Sequence, residues 1–262
     1  MSGILGVMHK DGQPVTDQTL DPLYRAMAAW GPDGYHTWHT GSIGFGHLHL
    51  SLAPAQSDDR QPYVSSGSGL AITADARIDN RPELMDRLGI PRSQRARISD
   101  GALILRAYER WGTACVEKLV GAFAFAIWDA RSRQLVLGRD HIGFRPLLYV
   151  NTPRLVVFAS DIKAILAHPL VEPKLHEPLL AARLQQMTCT AEKRLTFYEG
   201  VVKLPPAHWA TVTDGRTRLE GYWDPADTPR VHLPSESACA ERLRELLEEA
   251  VRCRLRTTHP VG

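Results

Sequence analysis

The side chains that could do chemistry gather in the first hundred residues. Ser2 follows Met1 and opens an apolar run, Gly3-Ile4-Leu5-Gly6-Val7-Met8. A small second residue permits removal of the initiator methionine, which would unmask Ser2. A serine hydroxyl is a weak nucleophile near neutral pH unless a strong base activates it. The plain alternative is an ordinary residue at the start of a strand. His36, His39, His47 and His49 are spaced so that pairs share a face, and His47 and His49 point the same way on a strand. Zinc needs three or four ligands of compatible geometry, and no metal site is expected here. Asp100, in Ser99-Asp100-Gly101, stands where a helix N-cap is expected. The four cysteines, Cys115, Cys189, Cys239 and Cys253, lie far apart with no CxxC pair. That spacing suits buried thiols in a reducing cytoplasm better than disulfides or metal ligation.

These residues need a frame, and the stretch Leu119–Val150 supplies it. Phe123, Phe125 and Ile127 share one side of an extended chain; Ala122, Ala124, Ala126 and Trp128 share the other. Both sides are apolar, so this strand is expected at the centre of a sheet covered on both faces. Asp129–Arg133 supply a turn, Gln134–Gly138 return, and Leu147–Val150 read as a third strand of the same meander. Further strands are expected over 2–8, 35–38, 43–52, 70–78, 156–159, 202–204, 208–213 and 218–223, the last two joined by the hairpin signal Asp214-Gly215. Leu20, Leu23, Tyr24 and Met27 form a helical stripe closed by Gly31-Pro32. Short helices are expected over 82–88, 162–167 and 179–187, and a longer one after Ser99 or Asp100, ending at Gly112. Pro91–Ile98 has no apolar period and reads as a mobile loop. Strands, helix, strands and then helices suit a layered sandwich rather than a wound βαβ sheet.

Past Trp223 the pattern changes. Pro225–Pro234 is linker-like. Leu243, Leu246, Leu247, Ala250, Val251 and Leu255 then make one face of a long helix dense in Arg and Glu. The chain holds 262 residues, room for one large domain or one domain plus a fragment. A net charge of +2 gives no electrostatic case for nucleic acid or an anionic membrane as partner. No leader pattern and no apolar run of transmembrane length is present, so a cytoplasmic protein is expected.

The order of residues says more than their periodicity. FAFAIWD, then LVLGRDHIGFRPLLY, then FASDIKAIL resembles the glutaminase-type domain that begins asparagine synthetases, the class II or N-terminal-nucleophile amidotransferases. The resemblance implies an α+β fold, the four-layer αββα sandwich of N-terminal-nucleophile hydrolases, over roughly residues 1 to 225. It also implies a site. In the family a cysteine thiolate exposed by methionine removal attacks the glutamine amide, with its own α-amino group as base; Ser2 takes that position here. The family's Arg in H-x-R-L-S grips the glutamine carboxylate; here the stretch is His47-Leu48-His49-Leu50-Ser51, so His49 replaces it. Imidazole cannot make the bidentate grip of guanidinium. The family's Asn-Gly-Glu builds the oxyanion hole; here it reads Asp75-Ala76-Arg77, and a carboxylate at Asp75 would repel an oxyanion. Asp100 alone matches, at the position that binds the glutamine α-ammonium, and it can serve that role, a helix cap, or both.

Taken together, the resemblance implies a glutaminase site that has lost its chemistry. The DARIDNRPEL and TFYEGVVKLPPAH phrasing is most similar to the lasso-peptide cyclase and β-lactam synthetase-like branch, where such a domain is retained as a scaffold. The expected organisation is a glutaminase-type domain over residues 1–229, then a linker and the first helix of a truncated ATP-dependent synthetase domain, a second α/β unit, over 230–262. No cofactor is expected in this chain; ATP and magnesium are expected in the synthetase domain. The expected partners are that C-terminal domain, a precursor peptide or amino-acid substrate, and a second copy through the helix stripe. The competing expectation is an N-terminal-serine amidohydrolase, or a residual glutaminase, using Ser2.

Overall fold

The structure is a computed structural model and describes residues 2–51, 60–65, 67–185, 193–213 and 216–255. In chain order the elements are β1 (Gly3–His9), α1 (Asp17–Met27), β2 (Gly34–Thr40), β3 (Ile43–His49), β4 (Tyr63–Val64), β5 (Leu70–Ile78), α2 (Arg81–Arg87), α3 (Arg92–Arg95) and α4 (Asp100–Trp111). There follow β6 (Gly121–Asp129), β7 (Gln134–Arg139), β8 (Leu148–Asn151), β9 (Leu155–Ala159), α5 (Ile162–Leu166), α6 (Glu177–Leu184), β10 (Val201–Lys203), β11 (His208–Thr213), β12 (Arg216–Gly221) and α7 (Glu236–Arg254).

Among the described residues the strands form two six-stranded sheets. One runs β10-β8-β9-β1-β3-β2 and the other β12-β11-β7-β6-β5-β4. The strand β6 sits inside its sheet, and its two faces are buried for different reasons. Phe123, Phe125 and Ile127 pack with Leu103, Ile104 and Ala107 of α4. Ala124 and Ala126 face the other sheet, where Ile4, Phe45 and Phe158 fill the space between. Small residues on one side let the sheets approach; large ones on the other each contribute about 1.5–3 kcal/mol by burial under the helix. The outer layer on the first sheet is α1 and α5, with Leu20, Leu23, Met27 and Ile165 against Leu5, Val7 and Val157. The result is α1/α5, sheet, sheet, α4: the expected α+β sandwich. Gly6 on β1 is required by the fit between layers, since a Cβ there would lie 2.4 Å from the Phe158 ring and 2.8 Å from the Gly44 carbonyl.

Three expectations need correction. The meander is not continuous: β6 and β7 pair with each other, but β8 pairs with β9 and β10 in the opposite sheet. The turn Arg139–Pro146 carries the chain across, and two side chains hold it, one buried and one half-buried. The Asp140 carboxylate, fully buried, accepts from the backbone N–H groups of Phe123 (3.2 Å), Ile142 (3.2 Å), Phe144 (2.9 Å) and Arg145 (3.0 Å). The Arg139 guanidinium donates to the carbonyls of Gly143 (2.7 Å), Arg145 (2.7 Å) and Leu204 (2.6 Å). Residues 91–98 are not a bare loop either. They contain α3, and Arg95 is fastened to the Ile90 carbonyl (2.9 Å) and to Asp86 (2.6 Å). Finally, the cap of α4 is Ser99, whose hydroxyl accepts from Ala102 N–H at 3.2 Å; Asp100 is the first helical residue and does not cap.

The hairpin turn at Asp214-Gly215, Cys189 and Gln186-Met187, the last two residues of an expected helix, lie outside the described residues. The long helix α7 forms as expected, opened by Ser235, whose hydroxyl accepts from Ala238 N–H at 3.1 Å. It buries no residue, and Leu243, Leu247, Val251 and Leu255 are each more than half exposed. Among the described residues no helix is long and apolar enough to cross a membrane.

Candidate functional site

The site lies at one end of the space between the two sheets. Ser2 immediately precedes β1, and the antiparallel register of β1 with β3 (Gly3 opposite Leu48) sets it across from His49. On β5 the alternation of side chains sends Ala74 and Ala76 toward α4, and Thr73 and Asp75 toward the first sheet. The N-terminal turn of α4 closes the end. Ser2, His47, His49, Asp75, Ala76 and Asp100, all singled out in the sequence, line one cavity together with Gln61, Ala74 and Gly101; His36 and His39 do not line it.

That cavity is about 10 Å³ with every side chain where it stands, about the room that a single water needs. Gln61, which the sequence reading passed over, takes much of the room. Its carboxamide donates to the Ala74 carbonyl (3.1 Å) and accepts from Ala74 N–H (2.7 Å). The pairing of β4 with β5, Tyr63 opposite Ile72, places Gln61 opposite Ala74. The side chain thus extends the ladder where the β4 backbone has left it. Gly101 makes room for it: a Cβ at that position would lie 2.9 Å from the Gln61 carboxamide carbon and nitrogen.

The nucleophile position is occupied in the hydrogen-bonding sense. Ser2 Oγ accepts from Leu50 N–H at 3.1 Å and donates to the Leu50 carbonyl at 3.4 Å. Asp75 is 4% exposed. Burial pushes its carboxyl up to about 6, against the opposing pull of the Arg145 guanidinium and the Ser2 backbone N–H. Arg145 Nε stands 3.4 Å from Asp75 Oδ2, close enough for an ion pair, but the two are not aligned as a hydrogen bond and both atoms lack one. Burial outweighs this imperfect pair, which is why the carboxyl is raised rather than lowered.

Asp100 is committed elsewhere. One carboxylate oxygen pairs with Arg81 Nη1 and the other accepts from Ile78 N–H at 3.2 Å. Arg81 in turn donates to the Ile98 carbonyl at 2.7 Å, and both side chains are at least nine-tenths buried. A carboxylate already neutralised by a buried guanidinium offers little to a ligand's ammonium. His47, 2% exposed, has its Nδ1 3.4 Å from the Thr73 hydroxyl, and burial followed by the neighbouring His49 and His36 pushes it down to about 3. It is a neutral imidazole at physiological pH. His49 is partly buried, its ring centre 5.9 Å from that of His47, and its Nδ1 has no hydrogen-bond partner. Arg77, at the third position of the expected oxyanion stretch, is held by Asp79 through Nε (2.9 Å) and Nη2 (3.2 Å). Among the described residues no three His, Cys, Asp or Glu side chains are grouped to hold a metal ion.

A family profile described as a glutamine amidotransferase domain matches residues 1–223, most of the chain. The chain belongs to that family. Along its whole length the chain is similar to asparagine synthetase [glutamine-hydrolyzing] 3 of Bacillus subtilis, at 28% identity, covering 42% of that protein. It is also 28% identical to amidase chry2 of Gibberella zeae over 98% of the chain, covering 38% of that protein. The chain therefore spans less than half the length of these relatives. Among solved structures it is similar to glutamine phosphoribosylpyrophosphate amidotransferase from B. subtilis, with a TM-score of 0.57 at 16% identity, over 84% of this chain and 49% of that one. A structure described as the allosteric regulatory enzyme of purine biosynthesis gives a TM-score of 0.58 at the same identity and 84% coverage of this chain. At such identity the likeness establishes the fold, the sandwich of N-terminal-nucleophile amidotransferases.

Two residues of the site had no readable role in the sequence. Gln61 lies in an aperiodic stretch. Arg145 is inside the family phrase, but only the fold reveals that the crossing turn aims it at Asp75.

Proposed function

We propose that this amidotransferase domain is a non-catalytic scaffold of an asparagine synthetase-like, ATP-dependent amide-forming enzyme, of the lasso-peptide cyclase or β-lactam synthetase-like branch. The observation that carries the reading is the closed cavity: Ser2 is bonded to Leu50, Gln61 is bonded to Ala74, and only about 10 Å³ is left between them. The chemistry of the replaced groups supports it. Losing one oxyanion donor typically costs on the order of 10²–10³ in rate, and here an Asp stands in its place. His49 cannot grip a carboxylate as a guanidinium does. In this reading residues 1–229 are the scaffold and 230–262 the linker and leading helix of the synthetase portion. ATP and magnesium belong to that portion, where a carboxylate of a precursor peptide or amino acid would be activated before an amine attacks. The test is intact-mass analysis after incubation with an electrophilic glutamine analogue. No adduct is expected; a stoichiometric adduct that disappears in Ser2→Ala would overturn the reading.

One feature favours a second reading, an amidohydrolase or residual glutaminase using Ser2. Asp75 adjoins Ser2 with its carboxyl raised to about 6, within the range of a working general base. Two similar proteins are named amidases. The same adduct on Ser2, abolished in Asp75→Asn, would support this alternative.

A further inference from the structure

On the other side of the α4 N-terminal turn lies a second, much larger concavity of about 870 Å³. Ser99 lines it, while the next two residues, Asp100 and Gly101, line the Ser2 cavity. Its rim carries Arg60, Arg97, Arg106 and Arg110, all exposed. Its floor is Tyr63, Leu88, Ile90 and Ile98, the outer edge of the core under α4. Among the described residues the rim has one acid, Glu109, and its carboxylate is already held by the hydroxyls of Ser65 (2.6 Å) and Ser68 (2.9 Å) and by Arg106 (3.5 Å). Arg60, Arg97 and Arg110 make no ion pair with any described residue, although the chain carries almost as many acids as bases. Nearby Arg95 shows the contrast, being tied to Asp86.

From this geometry we propose that the groove between α3 and α4 docks an acidic peptide segment that also carries apolar side chains. Guanidinium forks match carboxylates bidentately, and an apolar floor between them takes aliphatic or aromatic side chains. The volume is at the upper end of what small-ligand clefts enclose and suits a short extended segment. A nucleic acid would use the charge but not the floor, and a single tyrosine offers little stacking. The proposal stands whether or not Ser2 acts, because the groove and the Ser2 cavity have no described lining residue in common.

The test uses the full chain and fluorescence anisotropy. The probe is a labelled short peptide alternating Asp or Glu with Leu or Phe, beside its Asn/Gln counterpart. The acidic probe is expected to bind, its amide counterpart to bind far more weakly, and the double variant R97E/R110E to lose roughly tenfold or more in affinity. The variant R242E/R244E, on the exposed face of α7, is expected to leave affinity unchanged. The melting temperature of R97E/R110E, measured alongside, confirms that it is folded. Absence of binding, equal loss in both variants, or displacement of the peptide by a single-stranded oligonucleotide that binds more tightly through the same arginines would each overturn the proposal.

Discussion

Acid should weaken this fold through one histidine more than its exposure to solvent would suggest. His47 is 2% exposed and held neutral, its folded value about 3 against about 6.5 for an unperturbed imidazole. The sign follows from linkage. A group whose folded value is depressed contributes stability that is present above its unfolded value and lost as pH falls toward its folded one. At pH 7.5 both states are neutral at His47 and nothing is lost. At pH 5 the unfolded chain binds a proton there and the native chain does not, which costs about 1.4 kcal/mol for each of 1.5 pH units, or about 2 kcal/mol. For a chain of this size that is roughly 4–8 °C in melting temperature. The measurement is denaturant or thermal unfolding at pH 7.5, 6 and 5 on the wild type and on His47→Gln, which cannot titrate. The variant is expected to be less stable at pH 7.5, since it disturbs a packed site; the prediction concerns the slope. The wild type should lose about 2 kcal/mol more than the variant between pH 7.5 and 5. Parallel pH profiles would refute the argument, because they would mean that the imidazole titrates as readily in the fold as outside it.

Three further outcomes follow from the packing around the site. Arg81→Ala should destabilise the chain by about 3–5 kcal/mol by stranding the buried Asp100 carboxylate, as read by denaturant unfolding; a change near zero would mean that Asp100 is free for a ligand. Gly101→Ala should cost about 1–3 kcal/mol despite the better helix former, because its Cβ would collide with the Gln61 carboxamide and break its two bonds to Ala74. A chain ending at Pro229 should keep the melting temperature of the full chain and lose any self-association, since α7 buries no residue; unfolding of the sandwich on its removal would place α7 in the first domain's core.

Much of the frame could be read from residue types. The two unlike faces of β6 predicted a strand covered on both sides, and the Phe face and Ala face went to the helix and to the facing sheet. What periodicity could not supply was sheet membership. A two-residue repeat states which face of a strand is apolar, not which sheet it joins, so the passage of β8 into the opposite sheet was invisible. The devices that enforce that passage, Asp140 with four backbone N–H groups and Arg139 with three carbonyls, are a string of polar residues with no period. The site was legible by position, in that Ser2, His49, Asp75, Ala76 and Asp100 do meet. Its state was not, because the partners that occupy it come from distant parts of the chain: Arg81 reaches Asp100, Leu50 holds Ser2, Gln61 bonds Ala74, and Arg145 reaches Asp75. The stripe on α7 was legible as apolar, but a stripe does not name what covers it.

The central claim, that the cavity is closed to glutamine chemistry, is tested most directly by ammonia release from glutamine, measured for the full chain and for Ser2→Cys. Supplying a thiol leaves His49, Asp75 and Gln61 where they are, so on the proposed reading neither protein should release ammonia above the uncatalysed background. Release at rates of enzymes, on the order of 1–10³ per second, by the wild type or by Ser2→Cys would contradict the account.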